Sequence, residues 1–262
     1  MRLETLYESP ELPRFDMPSD LERVYGAFGL PGSVVYANFV SSVDGVAAIP
    51  GVPRSSALIS GGNEGDRFIV ALLRSVADVV VIGAGTFREH GGPWTADAAS
   101  PAFADGFAEL RGTVATGAAP MLVVVSSSGD LDGTASKLRD AVVATTDDGA
   151  RRLASAGSTV ASIETFGGSG TVDVRAVIER LRSDGHRRIL TEGGPQLMGE
   201  LLAAGLVDEL FLTVSPVLAG GGRFHERPVL SGNAALVPDA PARGEVMSIR
   251  RADDYLFLRY RL

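Results

Sequence analysis

The chain contains no cysteine, which excludes disulfides, thiolate nucleophiles and thiolate metal sites together. Histidine is nearly as scarce, with His90, His186 and His225 the only three. No HExxH pair or other zinc spacing is present, and no GxSxG elbow, so a transition-metal hydrolase and an α/β-hydrolase both lack their parts. His186, in SDGHRR, reads as a loop residue; His90, in a glycine-rich stretch, is the histidine to consider near a site. Positive charge is also short: 24 Lys and Arg face 32 Asp and Glu, for a formal charge of −8. Nucleic-acid binding depends on clustered cations, so a small molecule is the expected partner. Long apolar runs are missing too. ADVVVIGAG and PMLVVVSSSG are strand-length and stop at glycine or serine, far short of a bilayer span, and no membrane association is expected. The opening MRLETLYESPELPRF has neither an apolar signal core nor an Arg-rich amphipathic pattern, so a cytoplasmic location is expected.

What remains is enough for one large α/β domain. Residues 1 to 30 carry Pro10, Pro13 and Pro18 among acidic and aromatic residues and read as an irregular arm over a single domain spanning 31–262. From there, apolar runs alternate with helical patterns: VVYANFV, then NEGDRFIVALLRSV, DVVVIG, PMLVVVS, AVVATT and STVASIE, followed by DVRAVIERLRSDG, RRILT, PQLMGELLAAG and VDELFLTVSP. Several of the strands are continuous β-branched runs, as strands covered on both faces require. The expected fold is therefore α/β, with a mainly parallel, doubly wound sheet. The tail alternates as EVMSIR and YLFLRYRL around a DD turn, which predicts a C-terminal antiparallel hairpin closing one sheet edge.

The stretch TEGGPQLMGELL, from Thr191 to Leu202, runs from a strand through Glu192, Gly193 and Gly194 into a helix whose first residue is Pro195. Proline suits that position because its missing N–H would have no partner there anyway. Free amides and the helix dipole make such an entry an anion site, and glycines let a pyrophosphate approach backbone. A plain βα turn is the other reading. VVVIGAGTFREHGGPW offers a second strand end, with Gly83 and Gly85, but Arg88 stands where GxGxxG needs its third glycine, so the dinucleotide fingerprint fails. Ser126 and Ser127, after PMLVVV, place hydroxyls at a third. Asp44, in SSVDGVAA, is first of all a turn residue.

Taken together, SSVDGVAA, LLR with VADVVVIGAGT, VVVSSSG and RRILTEGGPQLMGELLAAGLVDELFLTVSPVLAGGG closely resemble the reductase domain of the bacterial riboflavin-biosynthesis deaminase-reductase family, the RibD C-terminal domain. The resemblance covers roughly residues 34 to 262 and implies a dihydrofolate-reductase-like fold. It also implies NADPH-dependent reduction of 5-amino-6-(5-phosphoribosylamino)uracil to its ribitylamino form, by hydride transfer to C1′, in a homodimer. By resemblance, Val40 and Ser42 flank the nicotinamide and Asp44 fixes the turn beside it. Leu58, Gly83 and Thr86 fall at cofactor positions, Ser126 or Ser127 at the adenosine end, and Gly193, Gly194, Pro195, Gln196, Leu197 and Met198 in the cofactor loop. Ser56 and Arg74 match substrate contacts, Arg74 turned toward an anionic group, and Glu192 matches the carboxylate that touches substrate; Glu192 and Asp44 are the catalytic candidates. No metal is implied, and without Cys the zinc set of the family's deaminase half is missing.

The loop FREHGGPWTAD departs from the family pattern: His90 replaces an Asp, Trp94 an aliphatic residue, and Asp97 an Arg that grips the sugar phosphate. A carboxylate in that place would repel the phosphate. His90 and Trp94 are then candidate substrate contacts, with Trp94 either a stacking face or a loop anchor. A reductase of a pterin or dihydrofolate, and a dinucleotide-binding protein without turnover, stay open beside the ribotide reductase.

Overall fold

A computed structural model describes the chain except for residues 50, 91, 116, 133, 134, 159, 221–227, 233, 239 and 240. Its strands are β1 (Glu4–Glu8), β2 (Val34–Ser42), β3 (Val79–Gly83), β4 (Met121–Ser126), β5 (Val142–Thr145), β6 (Ser162–Thr165), β7 (Arg188–Thr191), β8 (Glu209–Ser215), β9 (Glu245–Ala252) and β10 (Tyr255–Arg261). Its α-helices are α1 (Ser19–Tyr25), α2 (Ser55–Ser60), α3 (Glu64–Val76), α4 (Ala84–Glu89), α5 (Ala96–Ala99), α6 (Ala104–Val114), α7 (Asp147–Ser155), α8 (Val174–Ser183) and α9 (Pro195–Ala203). All strands join one sheet in the order β1-β9-β10-β8-β2-β7-β3-β4-β5-β6. From β8 to β6 every neighbour is parallel, and β8, β10, β9 and β1 pair antiparallel.

The β-branched runs are continuous because successive side chains feed two separate cores. In β3, Val80 and Ile82 join the core under α1, α3 and α6, while Val79 and Val81 join the one under α8 and α9. β2 divides the same way, Val34 and Tyr36 against Val35, Ala37 and Phe39. This is the period-2 signature of a sheet sandwiched between helical layers. In α3, Phe68, Ile69, Leu72, Leu73 and Val76 form one apolar stripe, and the Tyr36 hydroxyl, buried among them, donates to the Leu73 carbonyl at 2.8 Å. This buried hydroxyl is thus paired, as a dry interior demands.

The N-terminal segment differs from the irregular arm expected for residues 1 to 30. β1 pairs with β9, and Leu3, Leu21, Val24, Tyr25, Phe28 and Leu30 are buried core residues. The prolines lie between these elements rather than within them, so they punctuate structure without preventing it. For the same reason the C-terminal hairpin does not close the sheet: β1 lies outside it. The hairpin turns at Asp253, whose φ of 50° is left-handed, a conformation that short Asp side chains tolerate. β8 lies between β2 and β10, so its backbone edges are both used within the chain. The Gly221 and Gly222 that follow it lie outside the described residues.

Candidate functional site

Parallel strands end together, so the loops that follow them share one rim. Along the carboxyl ends of β2, β3 and β4 and over the loop after β7 lies a cleft of about 980 Å³. Val40 lines it from β2, Gly83 and Thr86 from the β3–α4 junction, Ser126 and Ser127 from the end of β4, and Glu192 to Leu197 from the entry to α9. Ser56, Arg74, His90 and Trp94 complete the part of its wall that the sequence singles out.

The entry to α9 is built by local rules. Glu192 N–H donates to the Val81 carbonyl at 3.1 Å, extending β7 alongside β3, and Gly193 N–H donates to Thr191 Oγ1 at 3.2 Å. Gly194 is the N-cap and offers no side chain to the first-turn amides, which leaves that end available to an external acceptor. Its φ of −62° is ordinary for any residue, so glycine is not there for conformational freedom. A Cβ on Gly194 would stand 3.3 Å from Thr86 Oγ1 across the cleft, and one on Gly193 would fall 2.7 Å from Leu197 Cδ2. Space, rather than backbone strain, is what the glycine pair supplies.

Arg74 and Glu192 meet on the cleft wall. Arg74 Nε donates to Glu192 Oε1 at 2.8 Å and Nη2 to Oε2 at 2.5 Å, a bidentate pair whose side chains are 13% and 11% exposed. Arg74 Nη1 also reaches the Thr95 carbonyl at 3.4 Å. Two residues expected to contact substrate separately are therefore joined, each fixing the other's orientation. Nearby, His90 Nε2 lies 3.4 Å from Ser56 Oγ, and burial holds the imidazole pKa below its usual value. Lys137 pins the loop from behind, donating to the Phe87 carbonyl at 2.8 Å and the His90 carbonyl at 3.1 Å.

Trp94 resolves the two readings of its loop toward the anchor. It is 6% exposed and stacks on Phe87, with ring centroids 5.9 Å apart and planes at 16°, so little of its face is left for a ligand. Asp97 is exposed and does not line the cleft. The repulsion expected of a carboxylate beside a phosphate therefore has no basis in the geometry. Cations that the sequence pattern did not single out do line the cleft: Arg54, Arg67 and Arg88. They are scattered in the chain, and only the fold gathers them.

Four expected residues stand outside the cleft. Ser42 is buried, and its hydroxyl donates to Asp44 Oδ1 at 2.6 Å while accepting from Val46 N–H at 2.9 Å. Asp44 is committed elsewhere, accepting from Ala219 N–H at 3.0 Å and Gly220 N–H at 2.8 Å. The Ser42 hydrogen bond first, and those two amides next, lower its pKa to about 2. It is a permanent anion that ties the β2 turn to the loop after β8, and its catalytic reading is withdrawn. Leu58 is exposed at 59% and turned away from the cleft, because the stripe of α2 that packs inward is Ser55, Ile59 and Ser60. Met198 is fully buried in the core beneath α9; its position on the helix faces the sheet.

A further acid lines the cleft, one that no sequence motif marks. Asp66, in the first turn of α3, is 9% exposed. Burial raises its pKa to about 6, against a smaller opposing effect of a hydrogen bond from the Thr213 side chain. Its only sequence signal is the cap three residues earlier: Asn63 Oδ1 accepts from Asp66 N–H at 3.1 Å. Among the described residues there is no cluster of His, Asp and Glu able to hold a metal ion, and no helix is long and apolar enough to cross a membrane.

Comparisons with known proteins agree with this architecture. The family described as RibD C-terminal domain matches residues 33–235. A 2,5-diamino-6-ribosylamino-4(3H)-pyrimidinone 5′-phosphate reductase of Archaeoglobus fulgidus is 30% identical over 190 residues, covering 71% of this chain and 82% of that protein. Among solved structures, a pyrimidine reductase-like protein of Corynebacterium diphtheriae superposes with a TM-score of 0.68 at 22% identity, covering 93% of this chain and 98% of that one. A diaminohydroxyphosphoribosylaminopyrimidine deaminase/5-amino-6-(5-phosphoribosylamino)uracil reductase of Thermotoga maritima gives 0.59 at 21% identity, covering 87% of this chain and 56% of that one.

Proposed function

The chain belongs to the RibD C-terminal domain family, and on that premise we propose that it is an NADPH-dependent reductase of a ribosylaminopyrimidine 5′-phosphate in riboflavin biosynthesis. The observation that carries the reading is the cleft itself. One wall is an uncapped helix entry with room at Gly194. Where that entry meets α3, the wall holds the fixed Arg74–Glu192 pair, and Arg54 and Arg67 line the same cleft. The helix entry suits the pyrophosphate of a dinucleotide; the charged part combines cations for a sugar phosphate with a carboxylate for sugar or ring donors.

The residues fit a nicotinamide cofactor in a specific way. The space left by Gly194 opposite Thr86 is a cradle that any Cβ would narrow. Ser126 and Ser127 lie at the far end with Arg88, whose Nη1 donates to the Asp130 carbonyl at 3.0 Å. Arg88 is the group that would favour a 2′-phosphate, and with it NADPH over NADH. When bound, the cofactor supplies a hydride to the imine carbon of the opened sugar. The protein's own work is to hold both partners in line and keep water out, tasks worth a large share of such a barrier. Glu192, oriented by Arg74, is assigned to the substrate and Val40 to the nicotinamide side. A pterin or dihydrofolate substrate loses its main support now that Trp94 is stacked on Phe87. Homodimer formation is carried by the resemblance alone.

The test is NADPH absorbance with purified protein and two candidate substrates, the 5-amino uracil ribotide and its 2,5-diaminopyrimidinone counterpart, with dihydrofolate in parallel. Oxidation with either pyrimidine phosphate and none with dihydrofolate is expected. Tight NADPH binding without turnover on any of them would return the chain to a binding role.

A further inference from the structure

Imine reduction takes up a proton as well as a hydride, and the roles assigned so far leave the proton without a source. The charged groups around the cleft narrow the choice. Both oxygens of Glu192 are already engaged by hydrogen bonds from Arg74. Burial depresses the His90 pKa, so the ring is neutral near pH 7. Glu89 and Asp130 are exposed at the rim, and Gln196 Nε2 reaches Glu200 Oε1 at 3.5 Å on the outer turn of α9.

We propose that Asp66 is the proton donor of this reductase, a catalytic acid presented by α3 at the level of the strand position that faces the nicotinamide. This rests on the reductase reading above. Asp66, Val70 and Arg74 follow one another at four-residue steps on α3 and all line the cleft, so one helix face carries both the acid and the arginine that orients Glu192. From β8 the Thr213 side chain acts on the Asp66 carboxyl and favours its anion. Thr213 is the register partner of Val40 on β2, which sets the acid at the height of the position assigned to the nicotinamide. Among the described residues no ion pair engages Asp66, in contrast to Glu192.

The step balances simply. The π pair of the C=N bond goes to nitrogen and takes the Asp66 O–H proton. The carbon takes the hydride supplied by the reduced nicotinamide, and the carboxylate left behind regains a proton from water. Its surroundings keep that proton available near neutrality. Burial is the largest influence and the charge of Glu192 adds to it; Thr213 from β8 and Arg67 from α3 oppose them. The dipole at the start of α3 also favours the anion, an effect smaller than the cost of charging a buried carboxyl.

Asp66→Asn keeps the shape and removes the acid. The expected result is a fall in kcat of about 10²-fold or more, the scale of general-acid catalysis, with NADPH affinity unchanged. In the parent, kcat should fall as pH rises through about 6, and the variant should lose that limb. Thr213→Val retains the acid and removes a bond that favours its anion, so the limb should move to higher pH. Infrared titration of the cofactor-free protein supplies a reading independent of turnover: a protonated carboxyl band that disappears near pH 6 and is missing from Asp66→Asn. An active parent whose Asp66→Asn variant keeps its rate and pH limb, or a Thr213→Val variant whose limb stays put, overturns the proposal alone. A parent that turns over neither pyrimidine phosphate overturns the reductase reading and this proposal together.

Discussion

Glu192 and Arg74 illustrate how a residue's role depends on what holds it. Each alone is a charge that could face a ligand; joined at 2.5 and 2.8 Å, they become a single rigid element of the wall. Glu192→Gln leaves the carboxamide in place but removes the charge that balances Arg74, and turnover should fall at least about tenfold while NADPH affinity holds. Parallel measurement of kcat and cofactor Kd checks this; equal losses in both would contradict a substrate role. For Asp66 the sign of the pH effect is fixed by the raised pKa. Between 3.8 and about 6 the unfolded chain gives up this proton while the folded one keeps it, so stability falls as pH rises through that window. Asp66→Asn should therefore raise stability above pH 6, on the order of 3 kcal/mol, and change it little at pH 4. Urea midpoints at the two pH values test this, and no gain at high pH would mean that the carboxyl ionises normally. The sequence could not rank these residues: Asp66 looks like any first-turn acid until Thr213, distant in the chain, is folded against it.

Elements were more legible than residues, because periodicity is written locally while contacts are not. The strand-then-helix order from Val34 to Ser215 and the final hairpin follow from β-branched runs, an alternating tail and the DD turn. The entry to α9 was also visible as Glu192, Gly193, Gly194 and Pro195. What sequence could not separate was turn from ligand site, since both use glycine; the short distance from a Gly194 Cβ to Thr86 supports the ligand reading. Gly194→Val should weaken NADPH binding by about tenfold or more with the fold intact, as read by cofactor titration beside circular dichroism. Unchanged affinity would reduce the loop to a turn. β1 was missed because its strand pattern is short and its burial is lopsided: four of its five residues are exposed. Its value lies in Glu8, which pairs with Arg250 at 2.5 Å, an arginine side chain only 2% exposed. Glu8→Ala should destabilise the protein by about 2 kcal/mol, below the full cost of breaking a buried pair, because Arg250 keeps its bonds to the Tyr25 and Ala27 carbonyls. Chemical denaturation measures it.

At the scale of the whole molecule, the sheet's parallel half and antiparallel half do different work. The parallel half brings the ends of β2, β3, β4 and β7 to one rim, where the cleft opens. The antiparallel half buttresses β8, and through it Thr213 and the loop that Asp44 clamps. Scattered arginines, a glycine pair and a buried acid acquire a common purpose only through that topology. In the proposed reaction the cleft brings a reduced nicotinamide to the sugar carbon of a pyrimidine ribotide. It is tested most directly by incubating the protein with NADPH deuterated at the transferring C4 position and the ribosylaminopyrimidine phosphate, then weighing the product. The expected product is the ribitylamino compound carrying the deuterium at C1′. Product without deuterium at that carbon, or deuterated cofactor left unconsumed, would contradict it.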